Sequence, residues 1–449
     1  MYIRGYSIFN QLYQIKDVAL VLSIIVIIFF LSLCAYVKIK YKFWAIQPVM
    51  HVYDIQYWFF KRGIIRKELP EKNKYCNFDK ITTVTVTVII EKKDQNLIAD
   101  MVHLIQTNYL KNAGNTFLPL REHIIPYFAS HDAPTYWSFY WEDSFAQSKT
   151  GVIEDKRLIG CITSRPLIVT IYSNYNRKKE DPVTFRTYYV DYLCVHENQR
   201  RKGIAPELIQ THEYNQSHMN LSIQTSLFKR ENELTGIVPL CVYDTYIFSM
   251  KGWCAPASLD ASINILRCGK ENIKYLADLI AKDDLFDITV VNYIGNLVEL
   301  INTSNIYVYM MIYEDEIVGA YFFRNPCVTI EKDKKALTCY ASIFNRHANC
   351  IEHNKRDRTR WMTTFVHGFK MALTSVLTIL GTNDKKNGRK GRNDEEVYHY
   401  LVIEGIGHNS DIVDDLLIKT TPYSVSPTAY FFYNFAYPTF NSNNVLILS

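Results

Sequence analysis

The chain contains no CxxC pair and no HExxH motif, although it has 10 cysteines and 12 histidines. Metal sites built on thiolate or imidazole pairs need such spacings, so no metal site is expected. The cysteines, at 34, 76, 161, 194, 241, 254, 268, 327, 339 and 350, are scattered, and a chain of 449 residues is too large to need stapling. Reduced thiols in a cytosolic compartment are the expectation. An excess of one charge is also lacking: 50 Lys+Arg against 45 Asp+Glu leave +5. That mild balance suits an anionic ligand or a membrane surface and gives no reason to expect nucleic acid.

What the chain does have is apolar and aromatic material. Its 48% hydrophobic and 14% aromatic content, with 33 Tyr, supplies sizeable cores for two domains or one fused one. The richness in Lys, Asn, Ile and Tyr is that of an AT-rich genome, a large DNA virus among the candidate sources. The run Val18–Val37, VALVLSIIVIIFFLSLCAYV, carries no charge and at about 1.5 Å per residue spans roughly 30 Å, a bilayer core. A cleaved signal peptide would have a shorter apolar core and a small-residue cleavage site, which is missing. Lys38, Lys40, Lys42, Lys61, Arg62, Arg66 and Lys67 follow the run, against Arg4 and Lys16 before it. The expectation is a single-pass helix with the large domain cytosolic; a buried core helix is the alternative.

An extended, aromatic stretch is expected to about residue 80, then a strand over Thr82–Ile90 (TTVTVTVII) and a helix over Asn96–Leu110. Two segments echo each other. Leu158-Ile159-Gly160 is followed by Arg165-Pro166 and Val169-Thr170-Ile171; Ile317-Val318-Gly319 is followed by Arg324, Pro326 and Val328-Thr329-Ile330. In both, Gly precedes Arg by five positions, which suggests two copies of one α/β unit. Residues 383–396, NDKKNGRKGRNDEE, read as a solvated loop or as a contact to anionic lipid.

Thr187–Glu213 reads TYYVDYLCVHENQRRKGIAPELIQTHE. Tyr188–Val195 alternates as a strand, Glu197-Asn198-Gln199 is a turn, and Arg200, Arg201, Lys202, Gly203, Ile204 and Ala205 lead into a helix. Pro206 falls in the first helical turn, where its missing N–H costs nothing. Free N–H groups at a helix start, a glycine allowing close approach and cations around them make an anion cradle. A basic turn that merely caps a helix is the plain alternative.

The pattern Arg200-x-x-Gly203-x-Ala205 resembles the pyrophosphate loop of the Gcn5-related (GNAT) acyltransferases, which bind coenzyme A. YKFWAIQPV, residues 41–49, resembles the N-terminal signature of eukaryotic N-myristoyltransferases. DYLCVHENQRRKGIAPELI is similar to a second motif of that family, sharing Leu-Cys-Val-His, Ala-Pro and Leu-Ile. Phe431–Pro438 resembles a third, and the closing VLILS is apolar in the family's manner. The resemblance covers about residues 41–449. It implies an α/β (α+β) fold, a tandem pseudo-symmetric GNAT-like acyl-CoA transferase behind one N-terminal transmembrane helix. The corresponding divisions are 1–17, an anchor at 18–37, an acyl-CoA half at 38–255 and a peptide half at 256–449.

The resemblance also implies roles. An oxyanion formed on the thioester carbonyl needs donors, which would be the backbone amides of Tyr192 and Leu193. Cys194 and Val195 continue that strand, the diphosphate would lie on Arg200–Pro206, and Tyr41, Lys42, Phe43 and Trp44 would close over the nucleotide end. The base for the attacking glycine amine would be the carboxylate of Ser449. The family's helper threonine corresponds loosely to Thr225. Asp191 replaces the family's Asn, either as a second base or as a disturbing like charge. His196 reads as a turn cap or a substrate contact, and covalent catalysis by Cys194 is not expected. The family's Gly-Asp-Gly stretch is absent, Pro422–Ala429 reading PYSVSPTA, and Phe228–Met250 is poorly matched. The implied activity is transfer of a myristoyl group from myristoyl-CoA, a co-substrate and no resident cofactor, to a protein's N-terminal glycine. Another acyl group or amine, or an inert acyl-CoA-binding protein on a membrane anchor, are the alternatives.

Overall fold

The computed structural model describes the chain apart from residues 1, 92–93, 110–113, 149–150, 173–180, 232–235, 283–284, 332–333, 353–354 and 387–397. A helix runs over Tyr2–Lys40 (α1), ending in Lys38 and Lys40, cations that complement its dipole. From Val18 to Tyr36 its side chains are mostly exposed; Val37 is buried where the helix meets the rest of the chain. The expected extended stretch is more structured than its composition suggested. It holds a helical turn at Trp44–Ile46, a short helix at Ile55–Phe59 (α2) and a strand at Gly63–Ile64.

The strand expected over Thr82–Ile90 is cut short. Ile81–Thr85 (β1) is a strand, but Val86–Glu91 turns helical. Val86 and Ile89, one turn apart, bury against the helix Gln95–Asn108 (α3), and this packing outweighs their β-branched preference. The Asp94 carboxylate caps α3 by accepting from the Leu97 N–H at 3.1 Å.

Three antiparallel strands follow: Tyr136–Ser148 (β2), Gly151–Ile171 (β3) and Val183–Val195 (β4). A helix, Ile204–Met219 (α4), then returns the chain to Ser226–Glu231 (β5), parallel to β4. After the strands Cys241–Ser249 (β6), Ile263–Arg267 (β7) and Ile288–Val291 (β8), the same unit recurs. Ile306–Tyr313 (β9), Glu316–Arg324 (β10) and Lys334–Phe344 (β11) are antiparallel, the helix Lys355–Lys386 (α5) follows, and Tyr400–Glu404 (β12) lies parallel to β11. Ser424–Tyr433 (β13) and Val445–Ile447 (β14) complete the sheet path β14-β8-β3-β4-β5-β13-β6-β12-β11-β10-β9-β7. Strands are exchanged at its centre: β6 follows β5 in the chain but sits beside β12, while β13 sits beside β5.

The echo noted in the sequence marks equivalent places in the two units. A Cβ on Gly160 would lie 2.9 Å from Leu208 Cδ1 on α4, and one on Gly319 would lie 2.9 Å from Phe365 Cδ2 on α5. Each glycine therefore lets its unit's helix close onto its sheet. Trp361, Phe365, Phe369, Ala372, Val376 and Leu380 make a helical stripe on α5 that packs into the second unit's core. α5 meets the length and hydropathy of a membrane span, yet this buried stripe makes it a core helix. Residues 383–386 of the expected polar loop end α5, and the remainder lies outside the described residues.

The chain's last strand is wedged between the units. β14 pairs in parallel with β8, burying Leu446 and Leu448 in one core and Val445 and Ile447 in another. That alternation is the two-residue period of a strand covered on both faces.

Candidate active site

Two left-handed residues shape the turn after β4. Arg201 has φ 64° and Gly203 φ 86°, so the chain curls twice before α4 begins. A Cβ on Gly203 would meet nothing within 4 Å, so the backbone angle and not crowding demands glycine there. Gly203 is the N-cap and brings no side chain to the first-turn N–H groups. Those of Ile204 and Ala205 point out of the helix end with the positive end of its dipole. A groove of about 560 Å³ opens over them, its facing wall made by Asn108, Tyr109 and Leu193–Val195. The three cations divide. Arg200 donates to the Asn108 carbonyl and, at 3.3 Å, to the Val195 carbonyl, tying α3 to β4. Lys202 Nζ donates to Gln199 Oε1 at 2.6 Å, and Arg201 is exposed.

The register of β3 against β4 slips beside this groove. Cys161 faces Cys194 and Thr163 faces Asp191, so Tyr192 and Leu193 together oppose Ile162. This is a β-bulge, which leaves an extra residue out of the ladder, and it falls on the two residues expected to offer backbone donors. β4 and β5 pair only over Tyr188–Val190 with Ser226–Phe228 and then part. The opening between them is a cleft of about 130 Å³, walled by Trp44, Leu193, Ile209, Phe228 and Tyr433.

His212, Glu213 and Ser226 also line the cleft. Ser138 and Ser164 hydroxyls meet the His212 ring nitrogens at 2.7 and 2.9 Å, and burial pushes the imidazole pKa down to about 3. Burial raises the Glu213 carboxyl against the donors that favour its ionised form, Gln216 at 2.6 Å and Ser226 at 3.3 Å among them.

A third cavity, of about 470 Å³, lies between the two units. It shares Tyr109, Asp191 and Lys229 with the cleft, and the cleft shares Tyr109 and Leu193 with the groove. The three therefore adjoin one another across these shared walls. Arg165 and Arg324, equivalent residues of the two units, both line the third cavity. Arg165, 1% exposed, donates from Nε to Asp191 Oδ2 at 2.8 Å and from a terminal nitrogen to Asn292 Oδ1 at 3.3 Å. Arg324 donates to Ser449 O at 2.9 Å and to Glu404 Oε1 at 3.2 Å. Glu404 also accepts from Lys229 Nζ at 2.9 Å and the Tyr243 hydroxyl at 2.6 Å. Burial opposes its ionised form, but Lys229 and Arg324 outweigh that and hold its carboxyl below the usual range.

The sequence profile of myristoyl-CoA:protein N-myristoyltransferase, N-terminal domain, matches residues 77–241, which contain the cradle, the bulge and the cleft strands. Residues 77–241 belong to the N-myristoyltransferase family. Glycylpeptide N-tetradecanoyltransferase of Kluyveromyces lactis is 26% identical over 178 residues, 38% of this chain. That alignment spans about a third, 34%, of the curated relative's length. Saccharomyces cerevisiae N-myristoyltransferase with bound myristoyl-CoA shares the fold at a TM-score of 0.64 and 14% identity, over 91% of this chain and 99% of that one. A second structure of that yeast protein with bound myristoyl-CoA gives 0.65 and 14%, over 92% and 96%. The fold likeness extends well beyond the profile match, which stops short of both Tyr41–Val49 and Phe431–Pro438.

Those two N-myristoyltransferase-like motifs meet in space. The Tyr433 hydroxyl donates to Gln47 Oε1 at 2.8 Å, the Asn434 N–H donates to the Pro48 carbonyl at 2.7 Å, and Val49 packs with Phe431 and Tyr433. The Gln-Pro-Val strip is thus a clasp, and it holds Trp44 stacked on Phe228 at 5.2 Å. Of the four residues expected at the nucleotide end, Trp44 lines the cleft, while Phe43 packs edge-on against Tyr75 at 5.1 Å. Tyr41 and Lys42 line none of the three cavities.

Thr225 does not reach the site. It is buried, and its hydroxyl donates to the Arg186 carbonyl at 3.2 Å; β5 presents Phe228 and Lys229 to the cavities instead. His196 caps the turn after β4, its Nδ1 accepting from the Asn198 N–H at 3.3 Å. Burial pushes the Cys194 thiol up to about 12, against any role as a nucleophile. Sequence reasoning missed Tyr109, which borders all three cavities, and Lys229, which borders two. Neither had a signal in the sequence: in SLFKRE, Lys229 is one of three consecutive charged residues.

Proposed function

We propose that the chain transfers a long acyl group, myristoyl, from acyl-CoA to the N-terminal glycine amine of a protein. The adjoining groove, cleft and inter-unit cavity carry this reading, because they offer the nucleotide, the acyl chain and the peptide one place each around a single bulge. The coenzyme A diphosphate lies on the amides of Ile204 and Ala205 with Arg201 and Lys202 beside it, Arg200 acting through the turn it ties down. The acyl chain enters the cleft under Trp44. The thioester carbonyl faces the amides of Tyr192 and Leu193, with Cys194 and Val195 as the wall.

The glycine amine enters through the inter-unit cavity and attacks the thioester carbon. The carbon–sulfur bond breaks as the amide bond forms, and the amine's proton passes through a carboxylate to the departing thiolate. The base is the terminal carboxylate of Ser449 held by Arg324, with Asp191, held by Arg165, as the second carboxylate of the site. The acyl-CoA half is residues 38–255 and the peptide half 256–449. α1 anchors the protein in a membrane through residues 18–37, with the catalytic domain in the cytosol; its exposed, charge-free surface supports this.

A second reading, transfer of a shorter or more polar acyl group, is favoured by His212, Glu213 and Ser226 in the cleft. The test is acylation of a panel of Gly-initiated peptides by the full chain, with myristoyl-CoA and acetyl-CoA as rival donors. Myristoylation of the amine supports the first reading, and preference for acetyl-CoA supports the second. Acyl-CoA binding without transfer to any peptide would leave an inert binding protein.

A further inference from the structure

The surface beside the end of α1 carries a feature that acyl transfer does not use. On α2, Ile55 and Phe59 lie one turn apart on the face opposite buried Tyr57, and Phe60 follows at the helix end. Phe59 is 76% exposed, Phe60 86% and Ile55 50%. Adjacent bare phenylalanines are costly in water and mark a contact surface when basic residues rim them. Here the basic residues are Lys61, Arg62, Arg66 and Lys67, with two acids beside the segment, Asp54 at the start of α2 and Glu68 after Lys67. Arg62 stacks on the Tyr437 ring at 5.3 Å and Arg66 donates to the Ile46 carbonyl at 3.3 Å, so both are held in place. Lys61 and Lys67 extend into solvent.

The position of this patch decides what covers it. The last turn of α1 and the start of the α2 segment meet at one residue, Gly236. A Cβ there would lie 2.9 Å from Val37 Cγ2, and its carbonyl accepts the Val52 N–H at 3.1 Å. The patch therefore sits at the foot of the apolar helix, at the level where a bilayer ends if that helix spans one. We infer that Ile55–Lys67 is a second membrane contact. Ile55, Phe59 and Phe60 enter the boundary between acyl chains and headgroups of an anionic leaflet, while Lys61 and Lys67 bind its headgroups. This rests on reading α1 as the anchor and adds a fixed tilt of the catalytic domain against the surface.

The test uses the full chain in nanodiscs whose lipids carry brominated acyl chains, with phosphatidylserine present or absent. Phe60→Trp adds an emitter at an exposed position, and its signal is read as the difference from the unsubstituted protein. The expected result is a blue-shifted added emission, quenched by the bromines, with weaker quenching in discs without phosphatidylserine and in Lys61→Glu/Lys67→Glu. An unquenched added emission from chain held in the discs overturns the inference, whether the side chain stays in water or is covered by a second protein. Failure of the chain to enter the discs at all overturns the anchor reading and this contact with it.

Discussion

Gly160→Ala tests the packing that seats α4 and shapes the groove at its start. The new methyl would lie 2.9 Å from Leu208 Cδ1 and 3.4 Å from both the Cys194 carbonyl and Tyr140 Cβ. Leu208 is fully buried among Ile81, Tyr140, Ile159 and Ile204, so it cannot simply swing into solvent. Overpacking of this kind costs ~1–3 kcal/mol. Leu208→Ala alone removes a buried side chain and costs ~2–5 kcal/mol. In the double variant the added methyl occupies part of the vacated space, so the two losses should fall short of additivity by ~1–2 kcal/mol. Urea unfolding of the four proteins of the cycle measures this. Because α4 carries Gly203–Ala205 at its start, acyl-CoA affinity should fall in Gly160→Ala and recover in the double variant. Strict additivity, or unchanged affinity in the single variant, would refute the claim that this glycine seats α4.

Glu404→Gln should destabilise the protein by about 3 kcal/mol, since it leaves Arg324 and Lys229 short of their shared buried carboxylate; thermal denaturation checks it. Acid should destabilise the fold from about pH 6.5 downward, because burial pushes His212 to about 3 and His131 to about 4 while their unfolded values stay near 6.5. The unfolded chain then binds protons that the folded chain does not, so stability rises with pH across that window, by ~1.4 kcal/mol per unit for each histidine; unfolding midpoints at several pH values, with His212→Asn reducing the slope, measure it. Extending the chain past Ser449 with a short tag should abolish transfer while sparing acyl-CoA affinity, and unchanged turnover would exclude that terminal carboxylate as the base.

Much of the acyl-CoA side was legible because it is written in consecutive residues. Strand, turn, Gly203 and helix lie within one short segment, and each has a local backbone signature. The repeat was legible for the same kind of reason: Gly160 and Gly319 each sit where a helix must approach a strand. The positive φ at Gly203 is a second reason for glycine that the sequence does not display, since close approach to a phosphate and positive φ select the same residue. The helix at Val86–Glu91 was lost to pattern reading because TTVTVTVII alternates, and burial against α3 decided the matter. The inter-unit cavity was beyond reach. Its ion pairs at Glu404 join residues far apart in sequence, Lys229 and Arg324, and exchange of β6 and β13 between the units leaves no local trace.

The most direct test of the account is a crystal structure of the chain with a non-hydrolysable thioether analogue of myristoyl-CoA. The account predicts the diphosphate at the Ile204 and Ala205 amides, the carbonyl oxygen within hydrogen-bond reach of the Tyr192–Leu193 bulge, and the acyl chain between β4 and β5 beneath Trp44. A diphosphate bound elsewhere, or an acyl chain that leaves that cleft empty, would contradict it.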